Sequence, residues 1–540
     1  MLTRFTYFIL ILLLANTLIA CQPGAVKQDT PAPAIQTDET QALSDDEYDE
    51  LDEDDLEFES FGLDSQPHET VWQHVRAGFK LESHLDQKLL QAELAWYARH
   101  KKYIQRVMLR SDPFLHYILS EAEKRDLPTE LVLLPIVESA FQPFAYSHGR
   151  AAGIWQFIPA TGRLYGLKQN WWYDGRRDIY ASTQAALKYL ANLNKLFKGD
   201  WLLALAAYNS GSGTVQRAIR RNKKAGKPTD FWHLKLPKET QSYVPKLLAL
   251  KELINNPEKH DISLRCIPHV PGFKRIDAGS QIDLALAADL AEIELDTLYS
   301  YNPAYNRWAT PPEGPHNLLL PADAADKLEA NLVNLPEEKR ISWVRHKIKS
   351  GETLGHIAAK YETTVKHLRK VNHISGNNIR AGKHLLIPVA SRKQADYVLS
   401  VDQRLSKIKN SGKGKTRINH IVQKGDSFWK IARQYDVGMH ELAKWNGMAV
   451  RDPLRQGQKI VIRKSNSPAV PELSQRKPSD TIKSISYTVR NGDSLSRIAS
   501  RYKVSVSDLH RWNTIKGKYL KPGQRIKVYI DITEQSGDQS

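Results

Sequence analysis

Cysteine is nearly absent: Cys21 and Cys266 are the only two in 540 residues. Cys21 closes an amino-terminal apolar run, and if its thiol is taken up there Cys266 has no partner for a disulfide. No CxxC, no HExxH and no cluster of His and Cys occurs, so neither a metal nor thiol chemistry is expected, and no cofactor. The 18 histidines are scattered and read as surface or packing residues. Long apolar runs are missing as well. The one candidate, Phe5 to Leu14, has ten residues where a transmembrane helix needs roughly 20. Acidic residues are missing where they would decide a mechanism, from Ser139 to Tyr173. Basic residues are scarce between Cys21 and Asp64, where Lys27 stands alone against 15 Asp and Glu.

What is present divides the chain. A length of 540 residues exceeds what one core usually serves, so two or three domains with linkers are expected. The net charge of +17 suggests a polyanionic partner, nucleic acid first. The charge is unevenly spread, however. The segment Cys21 to Asp64 carries −14, and Ile341 to Ile530 carries +27 from 39 Lys and Arg against 12 Asp and Glu. Residues 21–70 have too few apolar side chains and too dense a like charge to form a core, and they read as a disordered tether. As a flexible coil such a segment reaches roughly 35 to 40 Å.

Residues 1–20 have the layout of a secretory signal: Arg4, the apolar run, then Leu18-Ile19-Ala20-Cys21. That tetrapeptide resembles the lipobox of bacterial lipoproteins. The resemblance implies a lipid on Cys21 and attachment to a membrane, and with Gln22 following it implies the outer membrane of a Gram-negative cell, periplasmic face. More than one acyl chain is needed to hold a protein there. A secreted protein is a poor candidate for nucleic-acid binding, so no nucleic-acid partner is expected.

The second half repeats itself. Val344 to Pro388, His420 to Arg463 and Tyr487 to Tyr529 align almost without gaps. Ile357, Ile431 and Ile498 correspond, as do Tyr361, Tyr435 and Tyr502, then Leu368, Leu442 and Leu509, then Asn372, Asn446 and Asn513. Strand-like runs open and close each repeat, and interior apolar residues recur at helical intervals, which predicts a two-stranded sheet with two short helices. The glycines read as turn residues and the asparagines as caps. The repeats, bounded at 343–389, 418–463 and 485–530, resemble LysM, which implies binding to the glycan of peptidoglycan or chitin near Gly351 to Leu354 and its counterparts. Three weak modules on one chain gain by effective concentration. Within 261–340, Ile282 to Pro321 follows the same order, as a degenerate fourth copy.

Residues 71–260 read as helical throughout, with Pro113 and Pro128 at helix starts. Pro128 opens a helix whose end carries Glu138 behind Leu131, Leu133, Leu134, Ile136 and Val137. A carboxyl group entering an apolar wall holds its proton to higher pH, as a general acid for a glycosidic oxygen must. Asp174 and Asp178 read as capping or ion-pair residues beside Arg176 and Arg177. Trp155, Trp171 and Trp172 read as core rather than sugar platforms. Pro135 is awkward inside such a helix.

Four ordered groups, Glu138-Ser139, Gly153 to Phe157 with Thr161, Ala206 to Gly211, and Glu239 to Val244, resemble the motifs of the soluble lytic transglycosylase domain, a goose-lysozyme-type fold. The whole is then multidomain: a mainly α, lysozyme-like catalytic domain followed by small α+β (βααβ) LysM modules. The resemblance implies cleavage of the β-1,4 bond between N-acetylmuramic acid and N-acetylglucosamine of peptidoglycan without water, leaving a 1,6-anhydro ring. It implies Glu138 as the sole acid and base, Ser147 and Gln156 orienting the sugar, and Tyr208, Asn209 and Tyr243 lining the cleft. Ser147 as a turn residue, Gln156 as loop packing and the two tyrosines as core aromatics stay open. Two rival readings stand beside it: a lysozyme-type hydrolase, opposed by the missing second carboxylate, and a non-catalytic wall-binding lipoprotein. A monomer is expected.

Overall fold

Helix α9 (Lys238–Asn255) is a buried helix of the amino-terminal half, and several of its neighbours lean on it. Val244, Leu247, Leu248, Leu250, Leu253 and Ile254 are all buried, too wide an apolar arc for a surface helix. The structure is a computed structural model that describes residues 69–147, 149–411, 415–465, 482–490, 493–502, 509, 512–513, 520 and 523–531. Cys21, the signal segment and almost all of the acidic tether lie outside the described residues. No described helix is long and apolar enough to cross a membrane.

Around α9 stand α1 (Val71–Ala77), α2 (Lys88–Arg99), α3 (Lys101–Glu123), α4 (Leu134–Ser139), α5 (Pro159–Leu164), α6 (Ile179–Leu196), α7 (Trp201–Ser210) and α8 (Ser212–Lys224). Helix α9 packs against α2, α4 and α7. Two readings of proline need correction. Pro113 does not start a helix; it lies inside α3, its ring buried. Pro128 opens only a turn of 3-10 helix, Thr129–Leu133, and Glu138 rides on the separate short helix α4. Pro135 falls in the first turn of α4, where a missing N–H costs nothing, which removes its awkwardness. Nor is the region helical throughout. Residues 142–147, 149–158 and 166–178 are irregular, tied by isolated bridges such as Tyr146 to Ala152 and Ala152 to Phe157.

The chain divides into two units, Met1–Gly412 with Ile418–Ile462, and Lys413–Arg417 with Arg463–Ser540. In the first, β1 (Lys274–Asp277), α10 (Leu284–Ala291), α11 (Leu295–Tyr301) and β2 (Asn317–Leu320) form a βααβ module, with α12 (Ala322–Val333) added. The first repeat is β3 (Ser342–Lys347), α13 (Leu354–Lys360), α14 (Val365–Val371) and β4 (His384–Val389). Between the first and second repeats stands α15 (Val401–Asn410). The second repeat is β5 (Lys415–Ile421), α16 (Phe428–Tyr435), α17 (Met439–Lys444) and β6 (Lys459–Ser465). The second unit holds β7 (Ile482–Thr488), α18 (Leu495–Arg501) and β8 (Arg525–Asp531), with β7 and β8 antiparallel from Ile482 opposite Asp531 to Thr488 opposite Arg525.

The aligned asparagines do more than cap. Asn446 Nδ2 donates to the Leu442 carbonyl at 2.8 Å and to the Val461 carbonyl at 2.8 Å, while its Oδ1 accepts from Val461 N at 2.8 Å. One side chain thus pins the second helix to the closing strand. Asn372 does the same with Leu368 and Leu386, and Asn513 with Leu509 and Lys527. Asn302 repeats it in the β1–β2 module with Leu298 and Leu319, so the degenerate copy keeps the pin. Gly351, Gly382, Gly425, Gly457 and Gly523 all have φ between 81° and 87°, as turn residues there require.

Candidate active site

Helix α4 is six residues long and ends abruptly. Ala140 and Phe141 both take positive φ, 49° and 57°, an uncommon pair for residues with side chains. Ala140 N donates to the Ile136 carbonyl at 3.0 Å, the single bond of an αL closure made without glycine, and Phe141 N reaches back to the Pro135 carbonyl at 3.1 Å. Ser139 Oγ lies 3.1 Å from both the Pro135 and Ile154 carbonyl oxygens, which ties the helix end to the irregular segment. Backbone held this way against its preference, directly beside an acid, marks a place where position is over-determined.

Glu138 sits there, and Leu131, Leu133 and Leu134, which precede it in the chain, are fully buried. Tyr243 Oη donates to Glu138 Oε1 at 2.5 Å. Among the described residues no hydrogen bond holds Oε2. Burial pushes the carboxyl up to about 8; the Tyr243 hydrogen bond pulls the other way, and the charge of Glu239 adds to the rise. Glu130 shows the contrast: fully buried, it accepts from Lys80 N at 3.0 Å and Leu81 N at 2.8 Å and pairs with Lys251 at 3.1 Å. A carboxylate ringed by donors is structural; one with a single phenol and a free oxygen can exchange a proton.

Glu239 is the residue that sequence reasoning missed as part of the site. It stands one turn before Tyr243 on α9, and the spacing of four was the available signal. Asn209 Nδ2 donates to Glu239 Oε1 at 3.1 Å, and Thr240 Oγ1 donates to Asn209 Oδ1 at 2.7 Å. Asn209 therefore engages Glu239 rather than the acid itself. Tyr208 Oη donates to the Trp155 carbonyl at 2.9 Å, and its ring lies tilted against Tyr189, with centroids 5.3 Å apart. Burial, then the charge of Glu138, holds the Tyr208 phenol well above its ordinary range.

The other sequence candidates are tied into the irregular segment. Ser147 Oγ accepts from Ala151 N at 3.0 Å while Ser147 N donates to the Ala151 carbonyl at 2.9 Å, a turn closed on itself. Gln156, at φ 46°, donates from Nε2 to the Gly153 carbonyl at 2.8 Å. Gly153 has φ 77°, and a Cβ on it would lie 2.1 Å from the Arg176 carbonyl oxygen, so only glycine fits. Arg176 clamps the segment by donating to the carbonyls of Arg150 at 2.6 Å and Phe157 at 3.1 Å. Asp174 holds Arg176 through two bonds of 3.0 and 2.7 Å, and Asp178 caps α6 at Ala181 N, 2.7 Å away. Trp155 is fully buried, with Nε1 donating to Thr183 Oγ1 at 3.0 Å. Trp172 packs in a core with Trp308 and Tyr305, and Arg177 donates to the Pro303 carbonyl at 2.9 Å, so this loop also seats the β1–β2 module. Cys266 is a free, exposed thiol. Among the described residues no group of His, Cys, Asp and Glu is arranged to hold a metal ion.

Comparison with known proteins adds the context. The family model described as transglycosylase SLT domain matches residues 117–231, that described as lytic transglycosylase MltD, LysM-like domain matches 272–337, and LysM domain matches 346–388, 420–463 and 487–528. Membrane-bound lytic murein transglycosylase D of Escherichia coli K12 is 39% identical over 380 residues, 68% of this chain and 79% of that one. A putative tributyltin chloride resistance protein of an Alteromonas species is 44% identical over 149 residues, 28% of this chain and 72% of that one. Among solved structures, lytic transglycosylase Slt from Pseudomonas aeruginosa is 21% identical over 36% of this chain and 33% of that one, with a TM-score of 0.22, too low to bear on the fold.

Proposed function

Because this chain belongs to the family of membrane-bound lytic murein transglycosylase D, and is a lytic transglycosylase acting on peptidoglycan, we propose that Glu138 is its single acid and base. Protonated near neutral pH, it delivers its proton to the glycosidic oxygen, and the bond from that oxygen to C1 of N-acetylmuramic acid breaks. The 2-acetamido carbonyl of the same sugar stabilises the electron-poor C1. The Glu138 carboxylate, steadied by the Tyr243 hydroxyl, then takes the proton from the C6 hydroxyl as that oxygen bonds to C1. Atoms balance with no water consumed: the products are a free 4-hydroxyl and a 1,6-anhydromuramic end.

The observation that carries this reading is the 2.5 Å bond from Tyr243 to a Glu138 whose other oxygen is open. A carboxyl used first as acid and then as base must be stabilised in both states, and one hydrogen-bond donor in an apolar wall meets that need. Glu239 supplies charge rather than a nucleophile in this scheme, since Asn209 occupies its Oε1. Ser147, Gln156, Tyr208 and Asn209 serve as the frame of the cleft. The lipid on Cys21, attachment to the outer membrane and the reach of the acidic tether complete the proposal, with the basic repeats gripping the anionic wall. Digestion of purified peptidoglycan, read by mass spectrometry of the released muropeptides, tests it. Ends one water lighter than hydrolysis gives are expected; hydrated reducing ends would overturn it. Cys21→Ser should move the protein from the membrane to the soluble fraction.

A further inference from the structure

The stretch around Ser147, from Phe144 to Ala152, is touched from outside the catalytic helices at two places. Arg404 of α15 lies with its guanidinium carbon 4.3 Å from the centre of the Phe144 ring. Asp452, in the loop between α17 and β6 of the second repeat, accepts from Tyr146 Oη at 3.1 Å on both carboxylate oxygens. Arg150 Nε lies 2.7 Å from Asp452 Oδ1, and Ala449 N donates to Oδ2 at 2.8 Å. The Asp452 side chain is only 12% exposed. A carboxylate withdrawn from water this far is costly unless donors and positive charge replace the water, and here the Tyr146 hydroxyl and the Arg150 charge of the catalytic domain do so beside Ala449 N of the repeat itself. The two contacts belong to one assembly: Gly447, at φ 60°, approaches α15 so closely that a Cβ would lie 2.6 Å from Leu405 Cδ2.

We propose that Asp452 is a specificity-determining residue that docks the second repeat onto the catalytic segment, so that one glycan strand is held by repeat and cleft together. The inference rests on the reading of Glu138 as the acid of a lytic transglycosylase. A repeat on a loose linker raises the local concentration of strand in every direction; a docked repeat presents it in one orientation, which costs less ordering when the strand binds. Long strands that span both sites gain from docking, and fragments too short to leave the cleft do not.

The test uses the full chain, as wild type and as Arg150→Glu, Asp452→Asn and the swap Arg150→Glu with Asp452→Lys. Substrates are long uncrosslinked glycan strands and a tetrasaccharide of the same sugars. Each single variant should raise KM for long strands by about three- to tenfold with kcat unchanged, and leave the tetrasaccharide reaction unaltered. The swap should recover at least half of the loss. An equal loss on both substrates, no change on either, or a swap no better than the singles would overturn the proposal. Failure of the underlying reading looks different: wild type would then yield no anhydro ends from either substrate.

Discussion

The Tyr243 hydroxyl donates to Glu138 Oε1 at 2.5 Å, joining residues 105 apart through the packing of α9 on α4. The bond sets two opposing demands on one carboxyl. Burial and the nearby Glu239 favour its protonated form, and the phenol favours the ionised one.

Replacing Glu138 by Gln should abolish release of muropeptides, a fall of about a thousandfold or more, with binding to intact sacculi unchanged. Stability should respond in a defined sense. Folded Glu138 keeps its proton up to about 8, whereas the unfolded residue loses it near its ordinary value of 4.5. The native state therefore binds more protons between these limits, and wild-type stability falls as pH rises through that window. The Tm advantage of Glu138→Gln, read by calorimetry, should be near zero at pH 4 and grow as pH rises to 8.

For Tyr243→Phe, the donor to the carboxylate is lost. The alkaline limb of kcat/KM should move to higher pH, because the ionised form loses its partner. The maximum rate should drop by about ten- to a hundredfold, because the same ionised form must act as the base. An alkaline limb that stays in place would show that Glu138 does not set it.

Glu239→Gln removes the like charge facing Glu138 while preserving an acceptor for Asn209. Its alkaline limb should move the opposite way, down by about half a unit, with a smaller effect on the maximum rate. Full pH profiles of both variants on one substrate give the two signs.

Asn446→Ala deletes three hydrogen bonds and strands the buried Val461 N–H and carbonyl. The second repeat should lose about 1–3 kcal/mol, seen as faster amide exchange in β6, with exchange in α9 unaltered.

Much of this was legible along the chain because it is local. The aligned apolar residues of the repeats, such as Ile357 and Leu368, recur at the intervals of their own helices, and they are buried. Glu138 announced itself through the apolar run before it. Asp174 and Asp178 were readable from their arginine neighbours and from the helix that follows. Pro113 and Pro128 misled because proline restrains only its own turn: whether a helix starts, continues or stops there depends on what else packs against it. The asparagines looked like caps because a cap is a local role, whereas their partners in β2, β4, β6 and β8 lie across the module. Ser147 and Gln156 stand at sugar-orienting positions by motif, and the hydrogen bonds each makes within its own loop carry no signal along the chain.

By itself, then, the sequence determined the modules, their order and the candidate for the acid, since each follows from periodicity, repetition or the residues next in line. Only the tertiary structure decided which groups meet the acid and what touches the cleft. Tyr243 reaches Glu138, Asn209 turns to Glu239, and Asp452 lies against Tyr146 and Arg150, because helices and repeats pack across separations that carry no spacing signal. Such contacts are selected by the fit of whole faces, and that fit is a property of the folded chain.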